Sequence, residues 1–303
     1  MNGIINVLKP PGMTSHDIIY FVRKKLKMKK VGHTGTLDPE AAGVLPVCLG
    51  KATKAVQYIT DKKKKYRTTI KFGIETETYD KYGTILRQEA VESIDIEKLK
   101  VVLEDFRGPI KQLPPIYSAI KVDGKKLYQY ALEGEEIEIK EREVEIYQLD
   151  LLDYNGKDEV VLDIECSKGT YIRSICHDIG QKMGCGAAMW QLIRTASSPF
   201  TIEQSYTLEE IEKAAAECTI DNMLQNADII FMELPSLEIK VTARSAAING
   251  SPIYGMGTIE DLDQIQEDLD VRLYCGQEFL GIGTVRYSED ENRKYIKINK
   301  MFI

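Results

Sequence analysis

The sequence is poor in the residues that build metal centres and acyl-transfer sites. Among 303 residues there are three histidines and one tryptophan, and the six cysteines (48, 166, 176, 185, 218 and 275) are scattered without a Cys-x-x-Cys pair. Zinc and iron–sulfur ligation are left without a ligand set, so no metal is expected. Isolated thiols of this kind predict a reduced, cytoplasmic protein. There is no Gly-x-Ser-x-Gly elbow and no Gly-x-x-x-x-Gly-Lys-Ser/Thr phosphate cradle, which sets aside serine hydrolases and Walker-type NTPases. The apolar stretch 41–50 falls far short of the roughly 20 residues that span a bilayer. Residues 1–10 lack a charged segment followed by an apolar one, so no signal peptide is read. Positive charge is also in deficit. There are 40 Lys+Arg against 47 Asp+Glu, a net −7, and that average argues against a nucleic-acid partner.

The distribution argues otherwise. Residues 1–75 hold 15 Lys+Arg and 5 Asp+Glu, a local +10, which leaves −17 for the remainder. Within that remainder, 206–270 hold 14 acids and 3 bases. Such asymmetry predicts a basic working face and an acidic region elsewhere. With 43% hydrophobic and 29% charged residues, the chain reads as an ordinary globular protein, long enough for one large domain or for a large one plus a small one.

Residues 3–8 read as a strand closed by the turn at Lys9-Pro10-Pro11-Gly12. Ser15 is placed to cap a helix running to about Met28, with an apolar stripe of Ile18, Ile19, Val22 and Leu26. Strands are predicted at 44–49, 66–74, 143–151, 159–166 and 189–195 from apolar runs and alternation. Helices are predicted at 94–106, 170–183 and 208–218, the first stopped by Arg107-Gly108-Pro109. Residues 107–135, with Pro114-Pro115 and Asp123-Gly124, read as a long ordered excursion, and loops of that length are commonly functional. Past 230–237 the pattern turns to short, Gly-punctuated strands, so a boundary is set at 232/233.

Four segments can carry chemistry. In Gly32-His33-Thr34-Gly35-Thr36-Leu37-Asp38-Pro39-Glu40-Ala41-Ala42-Gly43, the glycines permit close backbone approach, and Pro39 holds Asp38 extended. A carboxylate there can be a nucleophile, a general base or simply a turn cap. His33 beside it suits base contact or loop ordering. Lys62–Lys65 is followed by Tyr66. Lysine runs are mostly solvated, yet a strand-head tyrosine beside one is also a stacking platform. In Lys168-Gly169-Thr170-Tyr171-Ile172-Arg173, Arg173 is either a surface charge or the aligning partner of a buried Asp. The apolar members of Leu192-Ile193-Arg194-Thr195 read as core on pattern alone.

Taken in order, these blocks resemble the tRNA pseudouridine(55) synthases of the TruB type. The resemblance is carried by Leu8-Lys9-Pro10-x-Gly12, GHTGTLDPEAAGVLPVCLGKATK (32–54), Lys65-Tyr66-Arg67, RGPIKQLPPIYSAIKVDGKKLY (107–128), SKGTYIRS (167–174) and LIRT (192–195). The C-terminal segment, with Val271-Arg272-Leu273-Tyr274 and Gly281-Ile282-Gly283-Thr284-Val285, is similar to a small PUA-type RNA-binding module. The resemblance implies an α+β fold: a mixed, largely antiparallel central sheet with flanking helices over 1–232, and a β-rich module over 233–303. It implies conversion of a uridine in the tRNA T-loop to pseudouridine, without cofactor, by a stand-alone monomer with no obligate protein partner. Asp38 is then the nucleophile, Tyr66 the stacking and proton-handling residue, and Arg173 the partner of Asp38. His33, Tyr171, Leu192 and Lys9 line the substrate site, and residues from about 113 to 135 grip the RNA. A non-catalytic RNA binder would need the basic face but not Asp38, Tyr66 and Arg173 together. A glycosidase would need a second paired carboxylate.

Overall fold

The structure is a computed structural model that describes residues 1–303. Its centre is a nine-stranded sheet. The strands in chain order are β1 (Gly3–Lys9), β2 (Val31–His33), β3 (Ala42–Leu49), β4 (Lys64–Phe72), β5 (Ile74–Thr76) and β6 (Ile85–Gln88). They continue with β7 (Gly108–Gln112), β8 (Lys121–Val122), β9 (Lys125–Lys126), β10 (Arg142–Tyr154), β11 (Glu159–Cys166), β12 (Ala187–Ser197) and β13 (Phe200–Thr201). The sheet order is β1-β3-β12-β4-β11-β10-β7, with β2 on β3 and β13 on β12. Every pairing is antiparallel except β12 with β3, which meet in parallel over two residue pairs. The mixed, largely antiparallel sheet is thus as the resemblance implies. β5–β6 and β8–β9 form separate two-stranded ribbons.

The helices are α1 (Ser15–Leu26), α2 (Val56–Thr60), α3 (Ile96–Glu104), α4 (Leu127–Glu133), α5 (Ile172–Met183), α6 (Leu208–Ala216) and α7 (Arg244–Ile248). α3 and α5 cover one region of the sheet and share a core with Ile70, Leu149, Leu162 and Ile164. α1 and α6 cover β1 and β3 through Ile18, Val22, Ile211 and Leu45. The cap of α1 is Thr14 and not Ser15: the Thr14 hydroxyl accepts from the Asp17 N–H while the Asp17 carboxylate accepts from the Thr14 N–H. That reciprocal box satisfies two otherwise orphaned donors and releases Ser15 for the active-site loop.

The excursion begins later than the sequence suggests. Gly108–Gln112 does not end in a loop but forms β7, paired with β10 at the sheet edge. An edge strand tolerates Pro109, whose missing N–H has no ladder partner to serve. Beyond it, residues 113–135 carry the β8–β9 ribbon and α4, which ends on Gly134 in the left-handed region.

The C-terminal residues form a second sheet of five strands, β14 (Ser236–Glu238), β15 (Ile253–Tyr254), β16 (Asp270–Cys275), β17 (Glu278–Ser288) and β18 (Arg293–Met301), in the order β14-β16-β17-β18-β15. It is joined to the first sheet by a shared apolar cluster. Phe279 and Phe302 stack at 5.6 Å, and both face Phe231, whose ring meets Tyr58 edge-on at 5.0 Å. Ile4, Val44 and Cys48 complete this cluster. Burial of so much aromatic surface holds the two sheets in one body. No helix is long and apolar enough to cross a membrane.

Candidate active site

Asp38 sits in the loop between β2 and β3, and its two chain neighbours are pinned from opposite sides. The Leu37 N–H donates to the Ser15 hydroxyl at 2.9 Å, and that hydroxyl donates to the Leu37 carbonyl at 3.3 Å. The Pro39 carbonyl accepts from the Gly12 N–H at 3.0 Å and from Lys9 Nζ at 2.8 Å. Asp38 itself opens a turn, its carbonyl accepting from the Ala41 N–H at 3.1 Å. The side chain is left free to point outward, and its carboxylate is 40% exposed.

Arg173 meets it as a fork. Nε lies 3.0 Å from Asp38 Oδ2, and Nη2 donates to Oδ1 at 3.3 Å. The guanidinium also donates to the Thr78 and Tyr117 carbonyls at 3.3 and 3.1 Å, and Nη1 lies 3.7 Å from Asp80 Oδ2. A planar fork fixes both the position and the plane of the carboxylate. Arg173 is buried, and the start of α5 is held in turn by β7. The Gln112 amide accepts from the Tyr171 N–H at 2.8 Å and donates to the Tyr171 carbonyl at 3.0 Å, while Ser174 donates to the Leu113 carbonyl at 2.9 Å.

Tyr66 lies mid-sheet on β4, opposite Ile164 of β11 and Arg194 of β12. Burial pushes its phenol above the usual tyrosine range, with the Arg194 charge pulling the other way. Arg194 is 1% exposed, donates to the Val44 carbonyl at 2.7 Å and the Gly35 carbonyl at 3.2 Å, and forms no ion pair. Burial lowers its pKa. Gly43 explains the tight fit here. Its φ is +114°, and a Cβ would stand 2.2 Å from the Arg194 carbonyl oxygen, so only glycine lets β3 approach β12.

These groups line one cleft of about 740 Å³, whose walls include Asp38, Tyr66, Tyr171, Arg173, Leu192 and Arg194. A second cleft of about 750 Å³, with Tyr82, Trp190 and Lys81 in its wall, shares Asp38, Arg173 and Leu192 with the first. The Asp38–Arg173 pair is therefore reachable from two sides. Five of the seven residues singled out from the sequence converge here. His33 does not line either cleft: it stands on β2 opposite Val47, half-buried, with Nδ1 unpartnered and its pKa lowered by burial. Lys9 lies beneath the loop. It is fully buried, with Nζ donating to the Pro10, Met13 and Pro39 carbonyls, so all three ammonium hydrogens are used. Burial brings it down to about 8.

Sequence reading missed Arg194, Asp80 and Gln112. A charged residue in the otherwise uncharged run 187–196 is the signal that could have found Arg194. No group of three or more His, Cys, Asp or Glu side chains is arranged to hold a metal ion.

Residues 23–172 match the family model for the N-terminal domain of TruB family pseudouridylate synthases, and 173–231 match that for the tRNA pseudouridylate synthase B C-terminal domain. The chain is 50% identical to tRNA pseudouridine synthase B of Alkaliphilus oremlandii, over 99% of this chain and 98% of that one. The chain belongs to the TruB family of pseudouridylate synthases. A second TruB relative, tRNA pseudouridine synthase B of Clostridioides difficile, is 43% identical over the full length of both chains. The solved structure of an H/ACA RNP bound to a substrate RNA containing 2′-deoxyuridine superposes with a TM-score of 0.72 at 26% identity, over 99% of this chain and 85% of that one. The likeness of fold to that structure thus extends over both sheets. The two family models meet between Ile172 and Arg173, within the turn that delivers the arginine to Asp38.

Proposed function

We propose that this chain converts uridine 55 in the T-loop of tRNA to pseudouridine, with Asp38 as the nucleophile acting on a flipped-out base. The observation that carries the reading is the forked Arg173–Asp38 pair, half-open to solvent beside Tyr66. The reaction breaks N1–C1′, turns the uracil and joins C5 to C1′. The C5 proton is lost and N1 gains one, so atoms balance without an energy donor or a cofactor. A carboxylate fixed in plane can attack an electrophilic carbon or hold the positive charge that develops at C1′. The detached uracil needs walls, and Tyr66 and Leu192 supply a stacking face and an apolar one. A base in a folded loop must leave its stack to reach Asp38, which the open mouth of the cleft permits.

In this reading residues 1–232 carry catalysis, 113–135 grip the RNA, and 233–303 act as an RNA-binding module in a stand-alone monomer. A tyrosine keeps its proton at neutral pH, and burial raises Tyr66 further, so it is available as a donor. The test is tritium release from [5-³H]uridine in a T-arm stem-loop. The parent protein is expected to release tritium. Asp38→Asn is expected to lose turnover by roughly 10⁴-fold or more while binding RNA within a few-fold. Substantial release by that variant overturns the nucleophile assignment.

A further inference from the structure

Two groups of lysines in the chain differ in kind. Those of the conspicuous run are spent on acids or carbonyls. Lys62 pairs with Glu233, and Lys63 and Lys65 share Glu165 at 3.8 and 3.0 Å. Lys64 is buried and donates to the Ile59, Thr60 and Lys62 carbonyls. Arg67 forks onto Asp163, and Lys71 meets Asp158 and Glu159. This stretch presents little net field to a polyanion.

The second kind collects at the other end of β3. Lys30 precedes β2 and is tied to the end of β3 by the Gly50 N–H donating to its carbonyl at 2.8 Å. Lys51 and Lys54 follow β3, and Lys54 Nζ donates to the Met301 carbonyl at 2.8 Å, which brings Lys300 of β18 alongside. Lys27 and Lys29 are exposed on the loop leading to Lys30. None of these six forms an ion pair with a carboxylate. Lys54 is held below the usual lysine range by burial first, then by Lys30, Lys300 and Lys51, so the cations repel one another. The chain has more acids than bases, yet it gathers lysines from both sheets at one place, and the acid that shares a cleft with Lys51, Glu278, is paired with Arg244. Such an arrangement suits a multivalent anion that arrives from outside.

We propose that the cluster of Lys30, Lys51, Lys54 and Lys300 is a phosphate-backbone anchor for the RNA helix that extends from the target loop. The spacing supports an extended helix as occupant. Eight strand residues separate the Asp38 loop from the cluster, about 25 Å at a rise near 3.3 Å per residue, so a nucleotide held at Asp38 cannot reach it and a stem beyond the loop can. Contacts of this kind position RNA without reading its sequence. The proposal rests on the RNA-modifying reading above and assigns the C-terminal sheet a share in binding despite the acidity of residues 206–270.

The test compares full-length tRNA with a hairpin cut back to the target loop and its closing base pairs, using the combined variant Lys30→Gln, Lys51→Gln and Lys300→Gln, which leaves the Lys54 hydrogen bond intact. For tRNA, affinity is expected to fall roughly ten-fold, and the slope of log K against log salt to shrink by about 0.9 for each phosphate that is no longer neutralised. For the trimmed stem-loop, affinity is expected to stay within two-fold. Unchanged tRNA affinity and salt slope, or an equal loss on both RNAs, overturns the anchor. If the combined variant fails to fold, the exposed single change Lys51→Glu gives the same comparison. A parent protein that neither binds nor isomerises tRNA defeats the functional reading instead, so the two failures are distinct.

Discussion

Arg173 and Arg194 stand on two walls of one cleft, and both guanidinium groups are buried. Their partners differ. Arg173 lies between two carboxylates, Asp38 and Asp80, and also serves two carbonyls. Arg194 has the carbonyls of Val44 and Gly35 and the Tyr66 hydroxyl across the strand pair, but no carboxylate. The first arrangement is a neutralised network whose purpose is geometry, because a fork dictates where the carboxylate of Asp38 points. The second leaves a positive charge without a counter-ion in a dry place, which is costly. A cation kept at such cost contributes charge to the cleft itself. It lies beside the buried phenol of Tyr66.

Substitutions at the two arginines break this comparison most sharply. Arg173→Lys keeps the charge but not the plane, and a displaced carboxylate costs reactivity steeply, so kcat is expected to fall roughly 10²–10³-fold. Single-turnover kinetics measure it; a fall of less than ten-fold would mean that charge and not plane is what Asp38 requires. Replacing each arginine by methionine separates them in stability. Arg173→Met strands two carboxylates, one of them half-exposed, and is expected to destabilise by about 2 kcal/mol. Arg194→Met leaves two carbonyls unserved but removes an uncompensated cation. These effects oppose, so the net loss is expected below about 1 kcal/mol. Urea unfolding of both variants checks the order. Equal losses would show that Arg194 is compensated by something other than those carbonyls.

The difference between the arginines also marks what a sequence can and cannot announce. Asp38, Tyr171 and Arg173 lie in segments marked by glycine or proline and Tyr66 follows a lysine run, so each stands out one segment at a time, while the role expected of it comes from the resemblance. The sheet was legible too, since β4, β11 and β12 alternate or run apolar in the manner of buried strands. Arg194 becomes unusual only when β12 is placed between β3 and β4. Asp80 matters only because a turn brings it under α5. Lys9 reads as a basic residue beside a turn, and its burial depends on three carbonyls from two loops. The Lys62–Lys65 run misleads for the same reason: its neutralising acids, Glu165 and Glu233, lie about a hundred and more residues away in sequence. Ser15 and Thr14 differ by one position, which only the geometry of the capping box resolves.

A milder change tests whether the second carboxylate of the Arg173 network is needed. Asp80 holds Thr78 at 2.7 Å and the Tyr82 N–H at 3.0 Å through Oδ1, leaving Oδ2 to face Arg173 at 3.7 Å. Asp80→Asn retains the shape and removes the charge, so the fork should rotate slightly. Turnover is expected to drop about ten-fold with RNA affinity unchanged, a small displacement of an aligned carboxylate being enough for that. An unchanged kcat would make Asp38 the only carboxylate that Arg173 serves.

The converse case lies one and a half turns along the same helix. Asp178 is a half-buried carboxylate that forms no ion pair, and burial pushes it up to about 6, with distant Lys182 opposing. Between its unfolded value of 3.8 and about 6 the folded protein holds a proton that the unfolded chain has released. Stability from this group is therefore fully present below 3.8 and is lost as the pH rises through 6. At pH 7 the folded state carries an unpaired charge that Asp178→Asn removes. The variant is expected to melt a few degrees higher at pH 7, with the gain shrinking toward pH 4, where the parent carboxyl is already neutral. Thermal unfolding across that range measures it. A gain that persists unchanged at pH 4 would assign the stabilisation to the amide's own contacts and not to the missing cation, and the contrast with Asp38, whose cation is in place, would then rest on packing.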